Sequence, residues 1–244
     1  MPSFMNYCLM GTKHCYTDWH IDFGGTSVWY HIIYGGKLFI VVQPTPDNLR
    51  KYEQWEKLDA TDNIGKKRRT GFIQYCEGIK EPIPSNSIAR IELTTGDTLL
   101  MPAGWIHCVI TTEDSLVFGG NLLHSYCAKM QLRIRKLEMD LGMPKKYTVG
   151  GFDKLHWYAL IKLGTELIEH ADEYNPSKTL IQRFGAKKFE AITIIIEYLQ
   201  DKTNNKEDIP DNIPEAPLPF IKKLKGLLQD KKSSSSRRKS SNRR

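Results

Sequence analysis

Three residues have the types and spacing to hold a catalytic metal. Thr17-Asp18-Trp19-His20-Ile21-Asp22 sets a histidine and a carboxylate two residues apart. On a strand, side chains two apart point to the same face, so His20 and Asp22 can grip one ion together. His107 stands 85 residues after Asp22, behind a Pro-Ala-Gly turn. Two imidazoles and one carboxylate on one face of an octahedron leave three positions open, the arrangement of non-haem Fe(II) oxygenases. A 2-oxo acid would take two of those positions and O2 the third, which the closed four-ligand shell of structural zinc would not allow. Taken alone, His-x-Asp also fits a surface or hydrogen-bonded pair, and the spacing equally suits a zinc or manganese cupin.

The elements that must position these residues are strands. Residues 1 to about 130 carry short runs rich in Val, Ile, Thr, Tyr and Trp between turn residues, as in SVWYHIIYGGKLFIVVQPT. Gly35-Gly36 reads as a tight hairpin between two strands. Gly96-Asp97 and Pro102-Ala103-Gly104 punctuate a second strand block. Strands of this length and spacing predict an antiparallel sandwich or barrel. Residues 46–58 read as a short helix after a Pro-Asp start, and 61–71 as an exposed loop with a basic cluster, Lys66 to Arg69. Beyond residue 130, three stretches have apolar residues at helical spacing: MQLRIRKLEMDLG, FDKLHWYALIKLGTELIEHAD and AKKFEAITIIIEYLQDK. These predict a helical segment, 136–202, packed on the core. A Pro-rich acidic linker, 203–219, then leads to a short helix and a disordered Ser/Arg tail, 220–244.

Composition excludes several classes. No apolar run is long enough to span a bilayer, which predicts a soluble intracellular protein without a membrane partner. The five cysteines are scattered, with no Cys-x-x-Cys pair, which argues against a disulfide framework or a zinc finger. The net charge of +7 is local. KKSSSSRRKSSNRR, the last fourteen residues, holds seven of the 35 basic residues, and the remaining 28 match 28 acidic ones. Contact with DNA phosphates would therefore come from residues 231–244, which also suit a nuclear import signal.

The words YTDWHIDFGGTSVWYHIIYGGKLFIVVQPT and GDTLLMPAGWIHCVITTEDSLVFGGNLLHS closely resemble the Jumonji C histone lysine demethylases, in particular the branch whose members often carry PHD or CXXC zinc modules. The resemblance covers roughly residues 5–135 and makes 1–135 the catalytic core. It implies a β-rich (α+β) chain built on a double-stranded β-helix, a cupin-like jelly roll, with C-terminal helices. It also implies Fe(II), 2-oxoglutarate and O2 as cofactor and cosubstrates. His20, Asp22 and His107 stand where the family's iron ligands stand, and Thr17 and Lys37 where it holds the distal carboxylate of 2-oxoglutarate. A buried dicarboxylate needs a fixed cation and a hydroxyl donor, although a lysine at a strand start is otherwise read as a solvated charge. Tyr30 is a further candidate donor to the oxo acid, with core packing the competing reading. Asn121 and His124 are expected to support the pocket, and Trp105 to pack under the metal site. The implied reaction is hydroxylation of an N-methyl group on a histone lysine, H3 in the first place, with loss of formaldehyde, in the nucleus. No catalytic side chain is needed beyond the metal centre.

The match begins a few residues before the metal motif, whereas relatives carry an upstream region that completes the barrel, so the sequence reads as truncated at its N-terminus. No PHD or CXXC module is visible in it. Two other readings remain open: a non-catalytic chromatin scaffold that keeps the fold, and a protein side-chain hydroxylase.

Overall fold

A computed structural model describes residues 6–61, 70–172 and 179–229. The basic cluster at Lys66–Arg69 and the basic tail at 231–244 lie outside the described residues. The chain divides into two compact units. The first comprises residues 1–123 and 130–149, the second 124–129 and 150–244.

The first unit is built on one antiparallel sheet of six strands: β1 (Tyr7–Gly11), β2 (Tyr16–His20), β3 (Ser27–Val42), β4 (Ile88–Thr94), β5 (Thr98–Met101) and β6 (Ile106–Leu122). The β-branched and aromatic content of these stretches suits a pleated, half-buried surface. Two long strands, β3 and β6, pair along most of their length and form the spine. The flanking strands change along it. Around Leu38–Val41 the order is β2-β6-β3-β4, whereas around Val28–His31 it is β1-β6-β3-β5. The expected β-rich cupin-like class with helices following it is the observed one.

One turn was misread. Gly35-Gly36 does not close a hairpin; β3 runs through it, and the register against β6 shifts there instead. Gly35 takes φ +82°, and a Cβ at that position would stand 1.9 Å from the Asp114 carbonyl oxygen. The two glycines thus make an irregularity within one strand, which sequence cannot separate from a turn because both use left-handed backbone. The turns at Gly96-Asp97 and Pro102–Gly104 lie between strands as expected.

Two helices of the first unit, α1 (Pro46–Thr61) and α2 (Phe72–Gly78), enclose a core of Leu49, Tyr52, Trp55, Phe72 and Cys76, which also takes Val42, Ile106, Ile134 and Leu137. The last two come from α3 (Ala128–Asp140).

The second unit is helical: α4 (Phe152–Asp172), α5 (Leu180–Phe184), α6 (Ala186–Leu199) and α7 (Pro217–Gln229). Its core joins Trp157, Leu160 and Leu167 of α4 to Ile192, Ile195 and Leu199 of α6, and to Phe220 and Leu224 of α7. α5 starts on a capping box in which Thr179 and Gln182 satisfy one another's backbone N–H groups. Within residues 203–219, Ile209 and Ile213 pack against this core. No helix among the described residues is long and apolar enough to cross a membrane.

Candidate metal centre

His20 and His107 face one another directly across β2 and β6. Their rings lie 4.1 Å apart between centroids. β2 ends at His20, so Asp22 stands just past the strand rather than on it, in the extended backbone (φ −58°, ψ 136°) that precedes a turn at Phe23–Gly25. One ligand atom from each of the three residues falls within 4.8 Å of the others. Metal–ligand bonds of about 2.0–2.2 Å make that roughly the span of a single ion.

The hydrogen bonds around the three residues leave the right atoms for a metal. Nδ1 of His20 donates to the Asp18 carbonyl at 2.8 Å, and Nδ1 of His107 donates to the Trp105 carbonyl at 3.0 Å. Because a carbonyl only accepts, both Nδ1 atoms carry the proton and both Nε2 lone pairs are free to ligate. Asn121 donates from Nδ2 to Oδ1 of Asp22 at 3.3 Å and to Thr26 Oγ1 at 2.8 Å. That leaves Oδ2 of Asp22 facing Nε2 of His107 at 3.8 Å. Burial, reinforced by the neighbouring His20, lowers the His107 pKa to about 4. His107 is thus a neutral imidazole at neutral pH, the form that binds metal. Phe39 stacks on its ring. The donor set, two imidazoles and one carboxylate already oriented, fits a divalent transition metal with open positions.

A cavity of about 540 Å³ opens in front of this triad. The six residues read as metal ligands or cosubstrate donors line it, His20, Asp22, His107, Thr17, Lys37 and Tyr30, and so does Asn121. Two irregularities in the sheet bring them together. Thr17 and His20 are an odd number of residues apart and would face opposite sides of a regular strand. The β2 register inserts one extra residue between them, pairing Thr17 with Val109 and His20 with His107, so both point into the cavity. The Gly35-Gly36 irregularity does the same for Tyr30 and Lys37 on β3.

Lys37 is 7% exposed and its Nζ donates to Thr111 Oγ1 at 2.7 Å. Among the described residues it pairs with no carboxylate, and burial lowers its pKa. A buried cation with only neutral partners, facing a cavity, is a seat for an anion. Tyr30 is 6% exposed, its pKa raised to about 12 by burial, so its hydroxyl keeps its proton.

Sequence reading missed Thr111 and Tyr7. Thr111 lies four residues after His107 on the same strand face and was legible from that alternation. Tyr7 lines the cavity from β1, and its pKa is raised by burial and then by the charge of Asp22; nothing local in the sequence marks it. Trp105 reaches the site through its backbone carbonyl, and His124 is not among the lining residues.

Comparison with known proteins agrees with this geometry. Residues 7–121 match the model for the JmjC domain, hydroxylase, and residues 127–230 the model for the Jumonji helical domain. The JmjC domain-containing histone demethylation protein 1 of Cryptococcus neoformans is 34% identical over 243 residues, covering 93% of this chain and 26% of that protein. Lysine-specific demethylase 7B of Danio rerio is 36% identical over 231 residues, covering 93% of this chain and 36% of that protein. Lysine-specific demethylase 2A of Xenopus tropicalis is 43% identical over 159 residues, 65% of this chain and 13% of that protein. The chain thus spans about a third or less of the length of these relatives. With the two matched models following one another along the sequence, the chain belongs to the JmjC family, carrying a JmjC domain followed by a Jumonji helical domain.

Proposed function

We propose that this chain holds Fe(II) at His20, Asp22 and His107, binds 2-oxoglutarate through Lys37, Thr17 and Tyr30, and removes methyl groups from a lysine of a histone tail, H3 in the first place. One observation carries the reading: a buried lysine that, among the described residues, has no carboxylate partner shares a cavity with an oriented two-histidine, one-carboxylate set. That pairing favours an oxo-acid enzyme over a zinc or manganese cupin, which has no need of a buried cation.

Iron at this site supplies oxygen activation coupled to oxidative decarboxylation of the oxo acid. The residues of the chain do the rest. His20 and His107 present Nε2, Asn121 orients the Asp22 carboxylate, and Lys37 with Thr111 anchors the cosubstrate at the far side. The protonated Tyr30 hydroxyl is a donor to the oxo acid. In this reading residues 1–135 form the catalytic core, 136–202 a supporting helical segment, and 231–244 a DNA-phosphate contact in the nucleus. The relatives named as histone or lysine demethylases support the substrate class.

The test is incubation of the chain with Fe(II), 2-oxoglutarate, ascorbate and a panel of methylated H3 and H4 peptides, read by mass spectrometry beside a His20→Ala variant. Loss of a methylene mass from an H3 peptide, abolished in the variant, is the expected result. A stable gain of one oxygen would assign a side-chain hydroxylase instead. No change in a folded, iron-binding chain would leave the scaffold reading.

A further inference from the structure

Glu138 is 5% exposed, yet it is a carboxylate on a helix that packs against the sheet unit. Its Oε1 accepts the backbone N–H of Gly24 at 2.5 Å, and its Oε2 accepts from Arg135 at 3.4 Å. Gly24 lies two residues beyond Asp22, in the turn that follows it. Burying a carboxylate is costly unless charge-assisted hydrogen bonds compensate, so this contact is a specific tie and not filler.

The turn is hydrogen-bonded to Asp22. Gly25 N donates to the Asp22 carbonyl at 3.1 Å, and Thr26 donates from backbone and side chain to Phe23 O. Gly24 and Gly25 both take positive φ, 62° and 58°. At Gly25 the backbone meets α3 so closely that a Cβ would stand 2.9 Å from Gln131 Cα. Around Asp22 itself the packing is loose. A second cavity, about 270 Å³, lies between α3 and the metal motif and is lined by His20, Asp22, Phe23, Ile134 and Glu138. Beside this cavity the turn meets α3 at two points, the close approach of Gly25 and the Glu138 hydrogen bond to Gly24.

We propose that Glu138 is a positioning residue for the metal centre, tying the Phe23–Gly25 turn to α3 and so fixing the backbone from which Asp22 reaches the ion. It acts on one side of Asp22 while Asn121 acts on the carboxylate. The inference rests on the reading of the triad as a metal site. Groups hydrogen-bonded directly to metal ligands typically cost 10–100-fold in affinity when removed, and Glu138, bonded to the turn after Asp22 and not to a ligand, is expected at the low end of that range.

The experiment is titration of the metal-free full chain with Mn(II) by calorimetry, for the wild type, Glu138→Ala and Glu138→Gln. Glutamine keeps an oxygen that accepts the Gly24 N–H, so it separates the hydrogen bond from general packing. Circular dichroism checks that each variant is folded. Expected is a loss of roughly 10-fold or more in Mn(II) affinity for Glu138→Ala, with affinity retained in Glu138→Gln. Equal affinity in wild type and folded Glu138→Ala would overturn the inference while leaving the metal site standing. No Mn(II) binding by the folded wild type would remove both. If Glu138→Ala does not fold, Glu138→Asp decides, because its shorter side chain cannot span the same distance: weakened binding supports the tie and unchanged binding contradicts it.

Discussion

The Nζ of Lys37 donates to Thr111 Oγ1 at 2.7 Å, from β3 to β6 across the floor of the cavity, and no carboxylate joins them among the described residues. The pair is a cost to the chain unless an anion such as the proposed cosubstrate joins it. Burial lowers the lysine pKa because the charged form loses water and recovers only a hydroxyl.

Two opposite effects follow for Lys37→Met, which keeps the alkyl stem and removes the charge. The metal-free chain is expected to gain about 0.5–2 kcal/mol in urea unfolding. The affinity for 2-oxoglutarate in the presence of Mn(II) is expected to fall roughly 10- to 100-fold, the worth of a hydrogen bond to a charged group. A variant that is both less stable and unimpaired in binding would contradict the anchor role.

Asn121 makes two contacts, to Oδ1 of Asp22 and to Thr26. Asn121→Ala should weaken Mn(II) binding roughly 10-fold or more, because the freed carboxylate rotates away from His107. Isothermal titration of the folded variant checks this, and unchanged affinity would show that Asp22 holds its rotamer unaided.

Gly35→Ala addresses the irregularity that puts Tyr30 and Lys37 on one face. A Cβ there meets the Asp114 carbonyl oxygen at 1.9 Å on a residue at φ +82°, so the strand must regularise or strain. Left-handed backbone alone costs a non-glycine residue about 1–2 kcal/mol, and the clash adds to it. The expected result is a lower unfolding midpoint together with weaker 2-oxoglutarate binding. A variant as stable as the wild type would mean that the register does not depend on this glycine.

The helical unit carries a pH dependence of its own. His156 is 3% exposed, and its pKa is lowered chiefly by burial, against the opposing pull of the Phe152 carbonyl and Asp153. Tyr198 and Lys202 of the neighbouring segment are themselves tied to Asp153. A depressed folded pKa gives stability that is present above the unfolded value of about 6.5 and is lost as pH falls below it toward the folded one. The midpoint of urea unfolding should therefore drop between neutral and mildly acidic pH, and His156→Gln should flatten that slope. An identical slope in the variant would mean that other groups set it.

The candidate triad was legible in part because His20 and Asp22 lie close in sequence and His107 follows a turn rich in Pro and Gly, and the surrounding words singled it out by resemblance. The helices of 128–140, 152–172 and 186–199 were legible because their apolar residues recur at helical spacing, whereas the short helix expected from 220 begins at Pro217, inside the stretch read as a linker. Thr17 and Lys37 came from word-level resemblance, since Thr17 does not share a regular strand face with His20, nor Lys37 with Tyr30. The register shifts that admit them depend on pairing with β6, which no local pattern shows. Gly35-Gly36 was misread for the same reason. α2 and α5 escaped because five to seven residues hold too few turns for periodicity. Glu138 escaped because a glutamate in a helix looks solvent-facing until the helix is seen packed against the turn after Asp22.

The most direct test of the site is an anaerobic titration of the metal-free chain with Fe(II), then with 2-oxoglutarate, followed by visible absorption, for the wild type and His107→Ala. Chelation of the oxo acid to iron held by His20, Asp22 and His107 should give a charge-transfer band that saturates at one iron per chain and is absent in the folded variant. A folded wild-type chain that develops no band, or a His107→Ala variant that develops the same one, would contradict the assignment of these three residues as the iron site.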